Sequence, residues 1–175
     1  MRKYLLLSGL TLGAVLAAWS CDDEDLPTNI PTPVTEVETF TADLSPANEF
    51  PTPVPTTSSG TATMSVLPGG LLVYRVDVVN LINPTLAHIH GPALAGANAT
   101  VKVNFCIPTP PAPPCPNPTP GTPYTGLLAA GVATQVPGFS FDSLVVLLRN
   151  GNAYVNVHSM AYGAGEMRGQ VVRAP

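Results

Sequence analysis

The chain has 175 residues, which is enough for one domain, or for one domain with a tail. Charged residues make up 10% of it and the net charge is −4, which argues against a nucleic-acid-binding surface and against a long disordered acidic segment. Proline is over-represented at 21 residues, against a usual share of about 5%. Because proline interrupts helices and central strands, its clusters indicate a tail and surface loops.

The N-terminus has the pattern of a targeting segment. A short basic start, MRKY, precedes an apolar run of about 14 residues, which is too short for a membrane-spanning helix of about 20. Small residues and Cys21 follow, and then the acidic stretch DDED. This order resembles the signal peptide of bacterial lipoproteins, which implies cleavage before Cys21 and lipid attachment to its thiol. An ordinary secretory signal with an incidental cysteine is the alternative.

The stretch after Cys21 is rich in acids, prolines and threonines and has few apolar side chains. Such a composition buries too little surface to fold alone, so we expect an extended tether. A lipid on Cys21 holds a protein on a membrane surface without spanning it. We therefore predict a signal peptide at 1–20, a lipid-anchored flexible tether at 21–36 and a folded domain at 37–175. The predicted location is the cell envelope, facing the periplasm or the exterior.

From residue 37 onward apolar and polar residues alternate, which is typical of strands with one buried face. One segment, FDSLVVLLRNG, has helical spacing instead, with Asp142 or Ser143 as its expected N-cap and Gly151 at its end. One short helix among about eight strands predicts an all-β fold, an antiparallel Greek-key β-sandwich. The predicted strands are VETFTADL, GTATMSVL, LLVYRVDVVNL, TVKVNFC, YTGLLAAG, AYVNVHS and EMRGQVV.

Two cysteines remain once Cys21 is assigned to the lipid, namely Cys106 and Cys115. An exported protein is exposed to an oxidising compartment, so we expect these two thiols to form a disulfide. Closing a loop of about ten residues stabilises the fold by about 2.7 kcal/mol in the chain-entropy treatment. A metal site built from cysteine and histidine is the alternative use of these thiols.

Several blocks in a fixed order resemble the CHRD domain, a family named for the repeats of chordin and found also in secreted bacterial proteins. The resemblance extends from about Phe40 to Val172. It implies a β-sandwich similar in outline to that of copper/zinc superoxide dismutase, and a binding or interaction role without enzymatic activity. The blocks are ADLSPANEFP, GTATMSV, LLVYRVDVVNL, AHIHGPA, RNGNAYVNVHS and GEMRGQV.

All three histidines of the chain lie in two of these blocks. Residues i and i+2 of a strand share a face, so His88 and His90 project together, and His158 projects opposite its neighbouring valines. We therefore place the imidazoles on the polar or outer face of a sheet, or at one end of the sandwich. If the two strands are neighbours, three nitrogen donors converge in a pattern suited to copper or zinc.

Other polar residues accompany the histidines. Asn156 shares the strand face of His158, and Glu166 is a candidate for a fourth ligand or for a carboxylate that orients a ligand. A structural reading is also open, since a neutral imidazole can tie a loop to a neighbouring carbonyl. In that reading Glu166 and Arg168 pair with each other or with the histidine cluster.

The sequence lacks a recognisable catalytic motif. It has no G-x-S-x-G elbow, no glycine-rich phosphate loop and no thiol placed as a nucleophile, and three histidines are too few for a bimetallic dismutase site. We therefore expect a non-enzymatic binding or interaction module, with an unidentified envelope or extracellular protein or ligand as partner and no nucleic acid. The alternative is a copper- or zinc-binding protein that uses the three histidines. A superoxide dismutase-like redox enzyme is the third hypothesis.

Overall fold

A computed structural model describes residues 33–110 and 112–175 of the chain. This part contains ten β-strands, one α-helix and one turn of 3-10 helix, Pro46–Asn48. The predicted signal peptide, Cys21 and most of the predicted tether lie outside the described residues. None of the helices within the described residues is both long and apolar enough to cross a membrane.

The ten strands form two antiparallel sheets of five strands each. In chain order the elements are β1 Glu38–Leu44, β2 Ser59–Leu67, β3 Leu71–Ile82, β4 Pro84–His90, β5 Val101–Cys106, β6 Pro123–Val132, β7 Thr134–Gln135, α1 Phe141–Arg149, β8 Tyr154–Ser159, β9 Met167–Gln170 and β10 Val172–Arg173. The first sheet has the order β10-β1-β2-β3-β6, and the second has the order β7-β5-β4-β8-β9. The prediction of an antiparallel β-sandwich with one short helix is confirmed.

The core lies between the sheets, where the inward-facing residues of both sheets meet. Strands β2 and β3 bury the alternating apolar residues expected from the sequence, and β4 and β8 add theirs from the opposite sheet. Strands β4 and β8 thus turn their other face away from this core, and the histidines lie on that face. The inward residues of these four strands are Ala62, Met64, Val66, Tyr74, Val76, Val78, Ala87, Ile89, Val155 and Val157.

The helix α1 was predicted correctly, but its N-cap was not. Ser140 is the cap, because its backbone is extended and its hydroxyl accepts a hydrogen bond from the backbone N–H of Ser143 at 3.1 Å. Asp142 lies in the first turn of the helix instead, where a negative charge is favourable. Asn150, one residue before Gly151, caps the C-terminus.

The segment EMRGQVV was predicted as one strand, and the structure divides it between two sheets. Strand β9 pairs with β8 in the second sheet, whereas β10 pairs with β1 in the first. Val171 lies between them, fully buried, and its N–H donates to the carbonyl oxygen of Ala153 at 2.8 Å. The chain therefore crosses from sheet to sheet at Val171, a step that the local alternation of residues does not reveal.

Cys106 and Cys115 form the predicted disulfide, with their Cα atoms 5.0 Å apart. Cys106 ends β5 and is fully buried, while the loop that it closes is proline-rich. The N–H of Ile107 donates to the carbonyl oxygen of Pro113 at 2.9 Å and narrows the base of the loop. The pairing leaves neither thiol free to bind a metal.

Candidate functional site

The three histidines meet because β4 and β8 are neighbouring antiparallel strands. In their register His88 lies opposite Asn156, His90 opposite Tyr154, and Leu86 opposite His158. His158 is therefore the diagonal neighbour of His88 on the same face, within reach of a ring contact. The three side chains form one group, in which the donor nitrogens all lie within 4.8 Å of one another.

Two of the three histidines are buried and His90 is half-buried, whereas the sequence placed the group on a polar or outer face or at one end of the sandwich. His88 and His158 are each 6% exposed, and every residue of β8 is buried. The alternation predicted the correct side of the sheet, namely the side opposite the core valines. It did not predict the loops that cover this side, which bring Ala99 and Gly163 into contact with the imidazoles.

Two of the imidazoles have a defined orientation. The Nδ1 atom of His90 lies 2.9 Å from the carbonyl oxygen of Ala99, and that of His158 lies 3.0 Å from the carbonyl oxygen of Gly163. Because a carbonyl oxygen only accepts, each Nδ1 carries the proton and donates it. In the neutral ring Nε2 then holds a free lone pair, which is the arrangement that orients a metal-ligating histidine.

Unpartnered polar atoms concentrate around this group. Buried polar side-chain atoms nearly always have a hydrogen-bond partner, so a cluster of exceptions needs an explanation. Among the described residues seven buried side-chain nitrogen or oxygen atoms lack one, and five of them are here. The five are His88 Nδ1, His90 Nε2, His158 Nε2, Asn156 Oδ1 and Glu49 Oε1.

The electrostatic surroundings keep the rings neutral. Burial lowers the pKa of His88 to about 3, and the proximity of His158 and His90 adds to the effect. Burial is also the main cause of the lowered pKa of His90 and of His158. At neutral pH the folded protein therefore presents uncharged imidazoles, the form in which histidine binds a metal.

The spacing is wider than that of a closed coordination sphere. Metal–nitrogen bonds of 2.0–2.1 Å place tetrahedral donor atoms about 3.3 Å apart. The donor nitrogens of the group approach to within 4.8 Å, so a bound ion requires them to close by about 1.5 Å. Such a shift requires the imidazoles to turn about their side-chain bonds, and the loops that hold His90 and His158 by hydrogen bonds must follow.

Glu49 belongs to the same polar cluster, and the sequence reasoning did not single it out. It is 7% exposed, and the Nδ2 atom of Asn156 donates to its Oε2 at 3.4 Å. Burial raises the pKa of Glu49 to about 7, against the opposing effects of Arg168 and Asn156. The block ADLSPANEFP contains it, and the 3-10 turn capped by Ser45 ends next to it. Few acidic residues lie outside the predicted tether, and this scarcity is the sequence signal that could have singled out Glu49.

Arg168 and Glu166 do not form an ion pair with each other, which was one of the two arrangements offered by the sequence. Arg168 is 2% exposed, donates to the side-chain oxygen of Asn98 at 2.9 Å and to the carbonyl oxygen of Ala97, and lies 3.4 Å over the ring of Tyr154. Glu166 is buried, but it lines a separate cavity of about 320 Å³ and is not in the histidine group. No ion pair between Arg168 and Glu166 occurs among the ion pairs of the described residues.

A ring stack connects Arg168 to the histidine group. Tyr154 stacks on His90 with centroids 4.8 Å apart and planes 4° from parallel, and Arg168 covers the other face of Tyr154. Such contacts between a guanidinium group and an aromatic ring are attractive. Arg168 therefore holds the Tyr154 ring in place and brings one positive charge near the cluster.

No curated protein and no solved structure matches the chain. The model of the CHRD domain family matches residues 40–171, a span that includes all three histidines, Glu49 and Arg168. This match confirms the resemblance read from the sequence blocks, and it covers well over half of the chain. The protein therefore belongs to the CHRD domain family.

Proposed function

We propose that this protein is a binding module of the cell envelope that holds a copper or zinc ion between His88, His90 and His158. Its family supports a binding or interaction role in general terms. The finer proposal rests on two observations. One ring nitrogen from each of the three histidines lies within 4.8 Å of the others, and each ring has a buried nitrogen without a partner. Imidazole nitrogens in this number and arrangement suit copper and zinc.

A purely structural histidine network fits these contacts less well. In such a network both nitrogens of each ring have a partner, because an unpaired buried polar atom costs about 1–3 kcal/mol. Here the outward nitrogens of His90 and His158 are paired with carbonyls, whereas the inward nitrogens are not. A cation accepts the lone pairs of the unpartnered ring nitrogens of all three histidines. It therefore removes the free-energy cost of burying each of these nitrogens without a partner.

The proposed role is binding and not turnover. The bimetallic dismutase site needs a bridging histidine besides the other ligands of both metals, and this chain has three histidines in total. Superoxide consumption by the metal-loaded protein is the assay for the redox alternative. We expect a rate no higher than that of the same metal bound to a small chelator.

The location in the envelope is also a proposal. It depends on lipid attachment to Cys21, because a lipid chain at this position keeps a mature protein on a membrane. Metabolic labelling with palmitate is expected to mark the wild type, and Cys21→Ala is expected to be unlabelled and released from the membrane fraction. A labelled Cys21→Ala variant, or a wild type that stays soluble after cell lysis, contradicts the anchor.

Metal analysis of protein purified from its own envelope tests the proposed site. We expect one equivalent of copper or zinc in the wild type, and loss of the metal in His88→Ala, His90→Ala and His158→Ala. Gln135→Ala is the matched control, since Gln135 also has an unpartnered buried amide nitrogen but lies on β7, outside the group. The control is expected to retain the metal.

Thermal melting with and without added metal shows that each variant is folded. Metal bound to the native state raises the melting temperature of the wild type and of the control, but not that of the histidine variants. A metal-free wild type that also takes up neither copper nor zinc on titration refutes the metal site. In that case the protein is an interaction module whose histidines serve only the fold.

A further inference from the structure

Glu166 is a buried carboxylate outside the histidine group. It is 4% exposed and lies directly before β9, where its backbone N–H donates to the carbonyl oxygen of Val157 at 2.8 Å. Its side chain has no hydrogen bond and no ion pair with any of the described residues. Buried charges in proteins are almost always paired, because an unpaired charge away from water is costly. The carboxylate of Glu166 is therefore an exception that needs an explanation.

This carboxylate faces open space and not packed protein. Glu166 lines a cavity of about 320 Å³, hereafter the Glu166 cavity, which lies where β3 and β8 end and where the loop before β2 passes. Neither oxygen of its side chain belongs to the described atoms that are fully enclosed without a partner, so both oxygens remain accessible. The charge is thus withdrawn from bulk water but is open to a molecule in the cavity.

The other polar groups of the cavity wall do not neutralise Glu166. The hydroxyl of Ser159 accepts a hydrogen bond from the N–H of Tyr162 at 3.3 Å, and Nδ2 of Asn80 donates to Oγ1 of Thr57 at 2.5 Å. None of the lining residues besides Glu166 is charged. The cavity therefore presents one negative charge without a counter-charge from its own wall.

Apolar surface accompanies this charge. Pro55, Ile82 and Ala161 line the cavity, and Tyr162 adds an aromatic side chain. Pockets for small molecules enclose about 300–1,000 Å³ and combine mainly apolar walls with a few polar groups that fix the orientation of the ligand. The Glu166 cavity has this composition and lies at the lower end of the size range, which suits a small organic molecule.

The carboxylate determines the charge of such a molecule. An ionised carboxylate only accepts hydrogen bonds, so the ligand must donate, and an anionic ligand is repelled. A neutral donor leaves the buried charge in place, whereas an ammonium group both donates and cancels it. Aromatic rings also attract organic cations, so Tyr162 favours the same class of ligand.

From the unpaired carboxylate of Glu166 and the apolar wall around it, we propose that this cavity binds a small organic cation, namely an ammonium group on a short aliphatic chain. The ammonium group pairs with Glu166, and the aliphatic chain lies against the apolar wall. The site is separate from the three histidines and involves no metal. It adds a second ligand to the proposed metal-binding role and does not depend on it.

Isothermal titration of the full chain with butylammonium tests this site. The protein is first treated with a chelator, so that the amine cannot coordinate a metal. We expect butylammonium to bind at least tenfold more tightly than butyrate, butanol or the ammonium ion, because each of these lacks the positive charge or the aliphatic chain. Butyrate or butanol binding as tightly as butylammonium overturns the proposal, and so does the absence of butylammonium binding.

Two variants locate the binding. Glu166→Gln keeps the shape of the side chain and removes its charge, and it is expected to weaken butylammonium binding at least tenfold. Ala161 is exposed, so Ala161→Trp is compatible with the fold and is expected to weaken binding by occupying the cavity. Glu38→Gln is the matched control, since Glu38 is also a buried carboxylate but pairs with Arg149 outside the cavity.

Stability gives an independent readout of the unpaired charge. Without ligand, Glu166→Gln is expected to melt at a higher temperature than the wild type, because it no longer buries a charge without a partner. A lower melting temperature overturns the assignment of Glu166 as unpaired. Unchanged butylammonium affinity in Glu166→Gln, or in folded Ala161→Trp, places the ligand elsewhere and overturns the site.

An ammonium group on an aliphatic chain occurs both in free amines and in the lysine side chain of a partner protein. Titration with Nα-acetyl-lysine methylamide distinguishes these sources. Affinity within tenfold of that of butylammonium supports a lysine side chain as the ligand, whereas loss of binding supports a free amine. Both results retain the Glu166 cavity as an ammonium site, and metal analysis of the same protein tests the histidine site separately.

Discussion

Gly165 packs against the side chains of Asn156 and Glu49, and its replacement by alanine tests that packing. Gly165 has φ +135°, where side chains are rarely tolerated. A Cβ atom there would lie 2.7 Å from both terminal atoms of the Asn156 side chain and 2.8 Å from Oε1 of Glu49. These distances are too short for any real contact, so Gly165→Ala must strain the backbone and displace the pair of polar side chains.

The two effects have separate magnitudes. A residue held in a sparsely populated backbone region costs about 1–3 kcal/mol, and overpacking of a filled site costs a further 1–3 kcal/mol. We therefore expect Gly165→Ala to lower the free energy of unfolding by about 2–6 kcal/mol, measured by urea denaturation of the metal-free protein. Gly126→Ala is the matched control: its φ is +146°, but the nearest atom to its Cβ, in Tyr124, is 3.4 Å away.

The Gly126→Ala control separates the cost of backbone strain from the cost of the contact between the new Cβ atom and the side chains of Asn156 and Glu49. Gly126→Ala is expected to cost the backbone term alone, so that the two variants differ by about 1–3 kcal/mol. In the background of Asn156→Ala two of the three crowding atoms are gone, and the excess cost of Gly165→Ala should shrink accordingly. Equal losses in both glycine variants, or an excess cost that persists without the Asn156 side chain, would refute the packing of Gly165 against the cluster.

Three further predictions concern stability. Replacing Cys106 and Cys115 by alanine is expected to lower the free energy of unfolding by about 2.7 kcal/mol, and reduction of the wild type should reproduce the loss. Arg149, hydrogen-bonded to Glu38, holds the pKa of that carboxyl below its ordinary value of 4.5. The ion pair therefore stabilises the fold fully above about pH 4.5 and is lost as the pH falls through the lowered pKa, so the deficit of Glu38→Gln in urea denaturation at pH 7 should vanish in acid. His88→Leu removes the unpartnered Nδ1 of His88 and leaves the hydrogen bonds of His90 and His158 to the loop carbonyls in place. It is expected to make the chelator-treated protein more stable by about 1 kcal/mol in thermal melts, whereas a less stable variant contradicts the assignment of that atom as unpaired.

The carbonyls of Ala99 and Gly163 connect the site to the loops above it. Each accepts a hydrogen bond from the histidine nitrogen that faces away from the group. Any movement of His90 or His158 toward a common centre therefore pulls on one of these loops. We therefore expect a metal bound as proposed to order the two loops, so that amide hydrogen exchange in them slows when the site is filled.

The order of side chains along each strand determined which face of the strand is buried and on which side of the sheet the histidines lie. Alternation has a period of two because successive residues of an extended chain point to opposite sides, which is a purely local property of the backbone. It was enough to predict the buried faces of β2 and β3, and to place His88 and His90 together on the side opposite the core. The helix α1 and the disulfide were equally predictable, since residue spacing indicates the helix and the folded domain contains only the two cysteines Cys106 and Cys115.

Contacts between distant segments decided the rest. Glu49 reaches Asn156 across more than a hundred residues, and Arg168 meets Asn98 across 70. No local pattern encodes such pairs, so the sequence offered only Glu166 or the histidine cluster as partners of Arg168. The same holds for the burial of the histidines. Strand geometry determines on which side of the sheet they lie, but only the packing of the loops over that side buries them and leaves one buried nitrogen of each ring without a partner.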